Sequence, residues 1–373
     1  APLRFEGNDG FQARGIPVQS GFLTQVSVIP TMNFKSTAGP LAAALSALSV
    51  SAQLTSIDLS QYQRVGRYSL PDPSVVSAPA GNFLAQEASG VAYNPDTGTL
   101  FVVGDGGRSI TQVSKTGQLI DTMTLGPGPS PQGTLYFDIE GIAYAGGGKF
   151  IVAEERYRQV NLLTYAAGTT INTKPAQSEI KLGTTIGNVG IEGISFDPAT
   201  GGIIAVKELN PQGIFQTSLN FAAGTASNGS AVTVNSLDLF NPALMGLGDT
   251  ADVFAMSQVI GPAGSDYQHL LVLSQESGKI VEVDRLGNIY STLTITATPG
   301  DLLAISEMQH EGLTMDEKGF LYVVNENGGG DINHPELWVY APVPEPSEYA
   351  LMAGGALAAF GVVRRWRRAS TQA

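Results

Sequence analysis

The stretch Glu140-Gly141-Ile142-Ala143-Tyr144-Ala145-Gly146-Gly147-Gly148-Lys149-Phe150-Ile151-Val152-Ala153-Glu154-Glu155 decides how this chain folds. Its first five residues alternate small and apolar side chains, which is the period of a β-strand. Three glycines make a tight turn, and Phe150 to Ala153 make a second, more apolar strand. Working outward, the same unit returns along the chain. It reads Glu87-Ala88-Ser89-Gly90-Val91-Ala92-Tyr93 before it, then Glu192-Gly193-Ile194-Ser195-Phe196, a weaker Asp252-Val253-Phe254-Ala255-Met256, and Glu311-Gly312-Leu313-Thr314-Met315. The acids that open these copies are 53, 52, 60 and 59 residues apart.

Each copy is followed by turn chemistry, such as Asn94-Pro95-Asp96-Thr97-Gly98 or Asp197-Pro198-Ala199-Thr200-Gly201, and by a second strand. Further strands flank the hairpin glycines Gly117 and Gly287. Four strands in a repeat of about 50 residues describe the blade of a β-propeller. The fold class is therefore all-β, with five blades. The last repeat is short of one strand, and Gln63 to Leu70 supplies it, so that N- and C-terminal strands close the ring and hide both sheet edges. Six blades would need one within residues 218–251, a Gly/Ser/Asn-rich stretch that reads better as an insertion loop.

Composition agrees with this reading and excludes other classes. The 373 residues include 45 Gly, 21 Pro and no Cys, which removes disulfide scaffolds, thiolate metal sites and cysteine nucleophiles together. The formal charge of −13 argues against nucleic acid as a partner. Both ends read as addresses. Residues 1–31 are expected to be absent from the mature protein. Residues 32–52 resemble a signal peptide: Met32 and Lys35 precede the apolar run Leu41 to Val50, and Val50-Ser51-Ala52 suits signal peptidase. At the other end, residues 343–373 hold Pro344-Glu345-Pro346, an apolar run from Tyr349 to Val363 and the cluster Arg364-Arg365-Trp366-Arg367-Arg368. That order resembles the PEP-CTERM sorting signal. The resemblance implies a transient membrane anchor, cleavage by an exosortase and release to the cell surface or extracellular space. The propeller would occupy residues 53–342. Residues 53–344 carry 13 basic and 29 acidic side chains, a charge of −16, so the acidity belongs to the folded part.

Much of that acidity is periodic. The first strand of each unit opens on Glu87, Glu140, Glu192, Asp252 or Glu311. The second closes on Asp105, Glu155, Glu208, Glu276 or Glu326. Antiparallel strands joined at one end bring both positions to the other end, so these ten carboxylates would meet near one mouth of the central channel. Like charges so placed raise one another's pKa and oppose folding unless offset. A subset would hold a metal, and an oxygen-only donor set points to Ca2+, with Asn188, Asn325 and main-chain carbonyls completing the shell. The other use for such acids is to cap backbone amides between blades.

The motifs Asp138-Ile139-Glu140-Gly141-Ile142-Ala143, Glu154-Glu155-Arg156-Tyr157-Arg158-Gln159, Leu273-Ser274-Gln275-Glu276-Ser277 and Val323-Val324-Asn325-Glu326 resemble the SdiA-regulated family across roughly residues 55–342. The resemblance implies a five-bladed propeller, a calcium site and a distant kinship to NHL-repeat propellers, without an assigned activity. The Glu-Gly-Ile repeats resemble the phytase-associated esterase-like propellers more faintly. For catalysis, His310 beside Glu311 is the candidate general base, while His269 and His334 read as a blade-edge and a surface residue. Arg156 and Arg158 would offset ring charge or grip an anion. Two functions follow: a calcium-binding, exported propeller that binds a surface, matrix or small-molecule ligand, or a calcium-dependent hydrolase of an ester, lactone or phosphoester.

Overall fold

The computed structural model of the protein describes residues 53–227, 237–301, 303–326 and 334–343. The segments read as a signal peptide and a sorting signal lie outside the described residues, apart from Val343. Among the described residues no helix is long and apolar enough to cross a membrane.

The strands form five antiparallel blades. Strand β1 (Tyr62–Ser69) comes first in the chain and belongs to the last blade. Blade 1 is β2 (Ala88–Asn94), β3 (Thr99–Gly104), β4 (Ser109–Val113) and β5 (Leu119–Leu125). Blade 2 is β6 (Ile139–Gly146), β7 (Lys149–Glu154), β8 (Gln159–Thr164) and β10 (Glu179–Lys181). Between its last two strands, β9 (Thr170–Ile171) crosses to pair in parallel with β5. Blade 3 is β11 (Ile191–Asp197), β12 (Gly202–Lys207), β13 (Gly213–Asn220) and β14 (Thr225–Ser227). Blade 4 is β15 (Asp252–Ala255), β16 (Leu270–Ser274), β17 (Lys279–Val283) and β18 (Ile289–Thr294). Blade 5 is β19 (His310–Met315), β20 (Leu321–Asn325), β21 (Glu336–Pro342) and the returning β1, with Tyr62 opposite Pro342 and Ser69 opposite Glu336. The expected closure is present. The stretch expected to be a loop after residue 218 instead gives blade 3 its outer strand.

Each second strand is apolar on both faces because a blade is covered on both sides. In β3, Val102 faces blade 5 while Phe101 and Val103 face blade 2. The same division recurs around the ring, giving an apolar core between every pair of neighbouring blades. The innermost strands β2, β6, β11, β15 and β19 pack against one another around the axis.

Candidate metal centre at the channel mouth

The inner strands carry a feature that alternation alone does not reveal. In β2, β6, β11 and β19 one extra residue interrupts the pairing with the second strand: Ala88 and Gly90 oppose Gly104 and Val103, Ile139 and Gly141 oppose Glu154 and Ala153, and His310 and Gly312 oppose Asn325 and Val324. Such bulges re-aim one side chain out of the strand's alternation. The inserted residues are Ser89, Glu140 and Glu311, with Glu192 in the corresponding segment of β11. Blade 4 has no bulge in β15, whose Asp252 and Val253 pair regularly with Leu273 and Val272.

Two residues before the bulge the backbone turns left-handed, at Glu87 (φ 53°), Asp138 (φ 56°) and Gln309 (φ 43°). Non-glycine residues pay for that conformation, and it tends to persist where structure around it is over-determined, often at functional sites. There the carbonyl of each accepts a hydrogen bond from the amide of the acid that follows the second strand: Asp105 to Glu87 (3.3 Å), Glu155 to Asp138 (2.9 Å) and Glu326 to Gln309 (3.1 Å). Glu87 is thus the counterpart of Asp138, not of Glu140, and Ser89 holds the ring position in blade 1.

The result is a cavity of about 250 Å³ lined almost wholly by polar groups. Seven of the ten expected carboxylates line it: Asp105, Glu140, Glu155, Glu192, Glu208, Glu311 and Glu326. Asp249, from the loop before β15, adds an eighth, and among the described residues Arg156 is the one cationic side chain in the lining. Glu87 stands beside them, its carboxylate oxygen within 4.8 Å of those of Asp105 and Glu326; Asp105, Asp138 and Glu140 form a second group of the same span. Calcium–oxygen distances of 2.3–2.6 Å let two ligands of one ion lie about that far apart.

Four expected residues are placed elsewhere. Asp252 is buried and accepts from the amides of Leu313 (2.7 Å) and Val253 (2.7 Å), so it joins blades 4 and 5. Glu276 is exposed at the rim. His310 is fully buried, edge-on to Trp338 with ring centroids 4.5 Å apart, and it does not line the cavity. Neither of its ring nitrogens has a full hydrogen bond, and burial, then the Arg64 guanidinium, pushes its pKa down to about 4. Its ring is packed against Trp338 outside the cavity lining, which removes it as a general base for this cavity. Asn325 is also outside the lining: its Oδ1 accepts from the Glu336 amide (3.1 Å). Asn188 does line the cavity, and Arg156 donates to it.

The electrostatics follow from crowding. Burial, then Glu311 and Asp105, raises the Glu140 pKa well above the carboxylate range; burial, then Glu140, does so for Glu192, and burial, then Glu326, for Glu311. Burial and the neighbouring Glu87 carry Asp105 up to about 8. Burial raises Glu326 to about 7 and, with Glu155, raises Asp138 to about 7 despite the opposing Arg156. Arg156 is ion-paired to Asp138 and lies 3.5 Å from Glu155. It therefore relieves one side of the ring only. Within this crowd the Asp138 Oδ2 atom is buried against Arg156, its ion-pair partner. A donor set of carboxylates, amides and carbonyls, with surplus negative charge, fits a hard divalent cation.

Asp138, Asp249 and Gln309 are the residues that sequence reading missed. The spacing of Asp138 two residues before Glu140, repeated by Glu87 before Ser89, was the available signal. A further acidic group, Asp266, His269 and Glu282, lies at the outer side of blade 4. Its polar atoms are already engaged, His269 Nδ1 with Glu282 (2.7 Å) and Asp266 with the amide of Ile57 (2.7 Å), so it ties down the segment that leads into β1.

Comparison with solved structures finds similarity to a glutaminyl cyclase from Myxococcus xanthus (TM-score 0.41, 10% identity, 75% of this chain and 95% of that one). It also finds a luciferin-regenerating enzyme (0.39, 13%, 76% and 93%) and a gluconolactonase from Xanthomonas campestris (0.34, 14%, 69% and 77%). Likeness at this level carries no argument about activity. The family model described as SdiA-regulated matches residues 75–328, and with the bulged Glu-Gly strands lying inside that span, the chain belongs to the SdiA-regulated family.

Proposed function

We propose that this protein is an exported calcium-binding propeller whose acidic channel mouth holds Ca2+ and presents it to a surface, matrix or small-molecule ligand. The observation that carries the reading is the convergence of eight carboxylates in one cavity with Arg156 as the sole cation. Such a cluster opposes folding unless protons or a metal neutralise it. Glu140, Glu192 and Glu311 would supply the inner ligands, with Asp105 and Glu326 nearer the rim. Export and passing membrane attachment, through signal peptidase and an exosortase, belong to the same proposal and rest on the end motifs.

Titration calorimetry of the purified chain, stripped with EDTA and returned to calcium, tests this. Calcium is expected to bind and release protons, and Glu140→Gln and Glu311→Gln are each expected to weaken binding at least tenfold. Failure of the intact chain to bind calcium at millimolar concentration would overturn the reading.

One observation favours a hydrolytic version. The cavity's eight carboxylates carry sixteen oxygens, more than the six to eight that calcium takes, so a carboxylate left off the ion, with Asp105 the candidate, is free to exchange a proton with water. Calcium-dependent turnover of an ester, lactone or phosphoester that is lost in Asp105→Asn, with calcium affinity kept, would support it.

A further inference from the structure

The opposite end of the channel is a different chemical environment. There the inner strands end, and a recess of about 200 Å³ is lined by Tyr93, Tyr144, Phe196, Met315 and Val259, one from each blade, with Glu317 at its edge. A layer of small and apolar side chains from the same strands, including Ala92, Ile142 and Leu313, lies between the two ends. The recess is therefore separate from the acidic cavity.

Tyr93 and Tyr144 are mostly buried. Their remaining surface nevertheless faces a recess with Phe196. Among the described residues, Glu317 is the one charged side chain in the lining, and no lysine, arginine or histidine enters it. The Tyr144 hydroxyl donates to Asp96. That bond holds the ring, and Glu317 brings negative charge to the rim. The Lys115 ammonium, paired with Asp316 (2.6 Å), already lies 4.6 Å from the Tyr93 ring centroid, so Tyr144 and Phe196 are the aromatic groups left to a cation in the recess.

From this arrangement we infer that the recess binds a small organic cation, an alkylammonium with a methylated head group. Aromatic faces attract such cations through the ring quadrupole, and an adjacent carboxylate adds Coulomb attraction. A sugar would need partners for several hydroxyls. The lining offers only Glu317 and Gln258 side chains, and Gln258 already donates to Ser195 (2.8 Å). The volume lies below the ~300–1,000 Å³ of drug-sized pockets, which limits the ligand to a few heavy atoms around the charge.

The test titrates the full chain with choline, with its uncharged isostere 3,3-dimethylbutan-1-ol and with glucose, in calcium and again in EDTA, followed by ligand-observed NMR. Choline is expected to bind about tenfold more tightly than the isostere, since a desolvated cation–aromatic contact is worth about that factor. Glu317→Gln, at an exposed position, is expected to weaken choline several-fold and leave the isostere unchanged, and Phe196→Leu to weaken choline. Glu140→Gln in the acidic cavity should change neither, which keeps this inference apart from the calcium reading. Equal binding of choline and the isostere, preference for glucose, choline binding lost in Glu140→Gln but kept in Phe196→Leu, or no binding at all would each overturn it.

Discussion

Glycine follows Glu140, Glu192 and Glu311 for a steric reason. A Cβ on Gly90 would stand 2.7 Å from the Glu140 carbonyl oxygen, one on Gly141 3.1 Å from that of Glu192, and one on Gly312 2.9 Å from that of Ser89. Each inner strand thus lies against the backbone of the next, and the acid and the glycine form one device: the bulge aims the carboxylate, and the glycine admits the neighbour. Gly90→Ala is expected to lower stability by about 1–3 kcal/mol through overpacking, read by denaturant unfolding of the metal-free protein. Asp252 occupies the same slot against Gly193 but spends its oxygens on amides. Asp252→Ala is expected to cost about 1–3 kcal/mol of stability by leaving the Leu313 amide unpaired, with calcium affinity little changed. A tenfold loss of affinity there would return Asp252 to the metal centre.

Among the elements, β1 is the one whose position depends on the whole chain. It pairs with β21 across more than 260 residues, and Arg67 reaches Glu336 (2.7 Å) and Asp301 (3.1 Å) to hold it. Trp338 beneath it is fully buried, with Arg64 stacked 4.0 Å over its ring. Without β1 the apolar strand β21 becomes an open edge, which invites pairing between chains. Removal of residues 53–69 is expected to give oligomers or aggregates larger than the intact chain by light scattering. Retention of the intact chain's light-scattering size would show that closure contributes little.

The whole molecule joins these parts into a pH dependence. Asp105, Asp138 and Glu326 have folded-state pKa values of about 8, 7 and 7, above those of an unfolded chain. The folded state therefore binds more protons, and stability falls as pH rises. The stability linked to these groups is fully present below about pH 4, where the unfolded carboxylates also hold their protons, and is lost through about pH 8. Metal-free protein is expected to show a falling melting temperature between pH 5 and 8, and saturating calcium to flatten that slope by replacing the protons. A metal-free melting temperature that rises over this interval would contradict the electrostatic account.

What sequence alone determined follows from periodicity. Strand alternation, turn glycines and a repeat of about 50 residues specify a propeller, its count of blades and its closure, because each rests on local spacing that the chain displays directly. The convergence of acids at one mouth was legible for the same reason: antiparallel connection alone brings Glu140, Glu192 and Glu311 to the side of Asp105, Glu155 and Glu326. Which acids face the channel was decided by tertiary structure. A one-residue bulge and a left-handed turn shift side chains between faces without altering composition, so Glu87 gave way to Ser89 in the ring and Asp138 came forward. Asp252 and His310 were turned aside by packing between blades, where a neighbour's amide or Trp338 was the nearer partner. The aromatic recess is tertiary in the same sense, because it exists only where five strand ends meet.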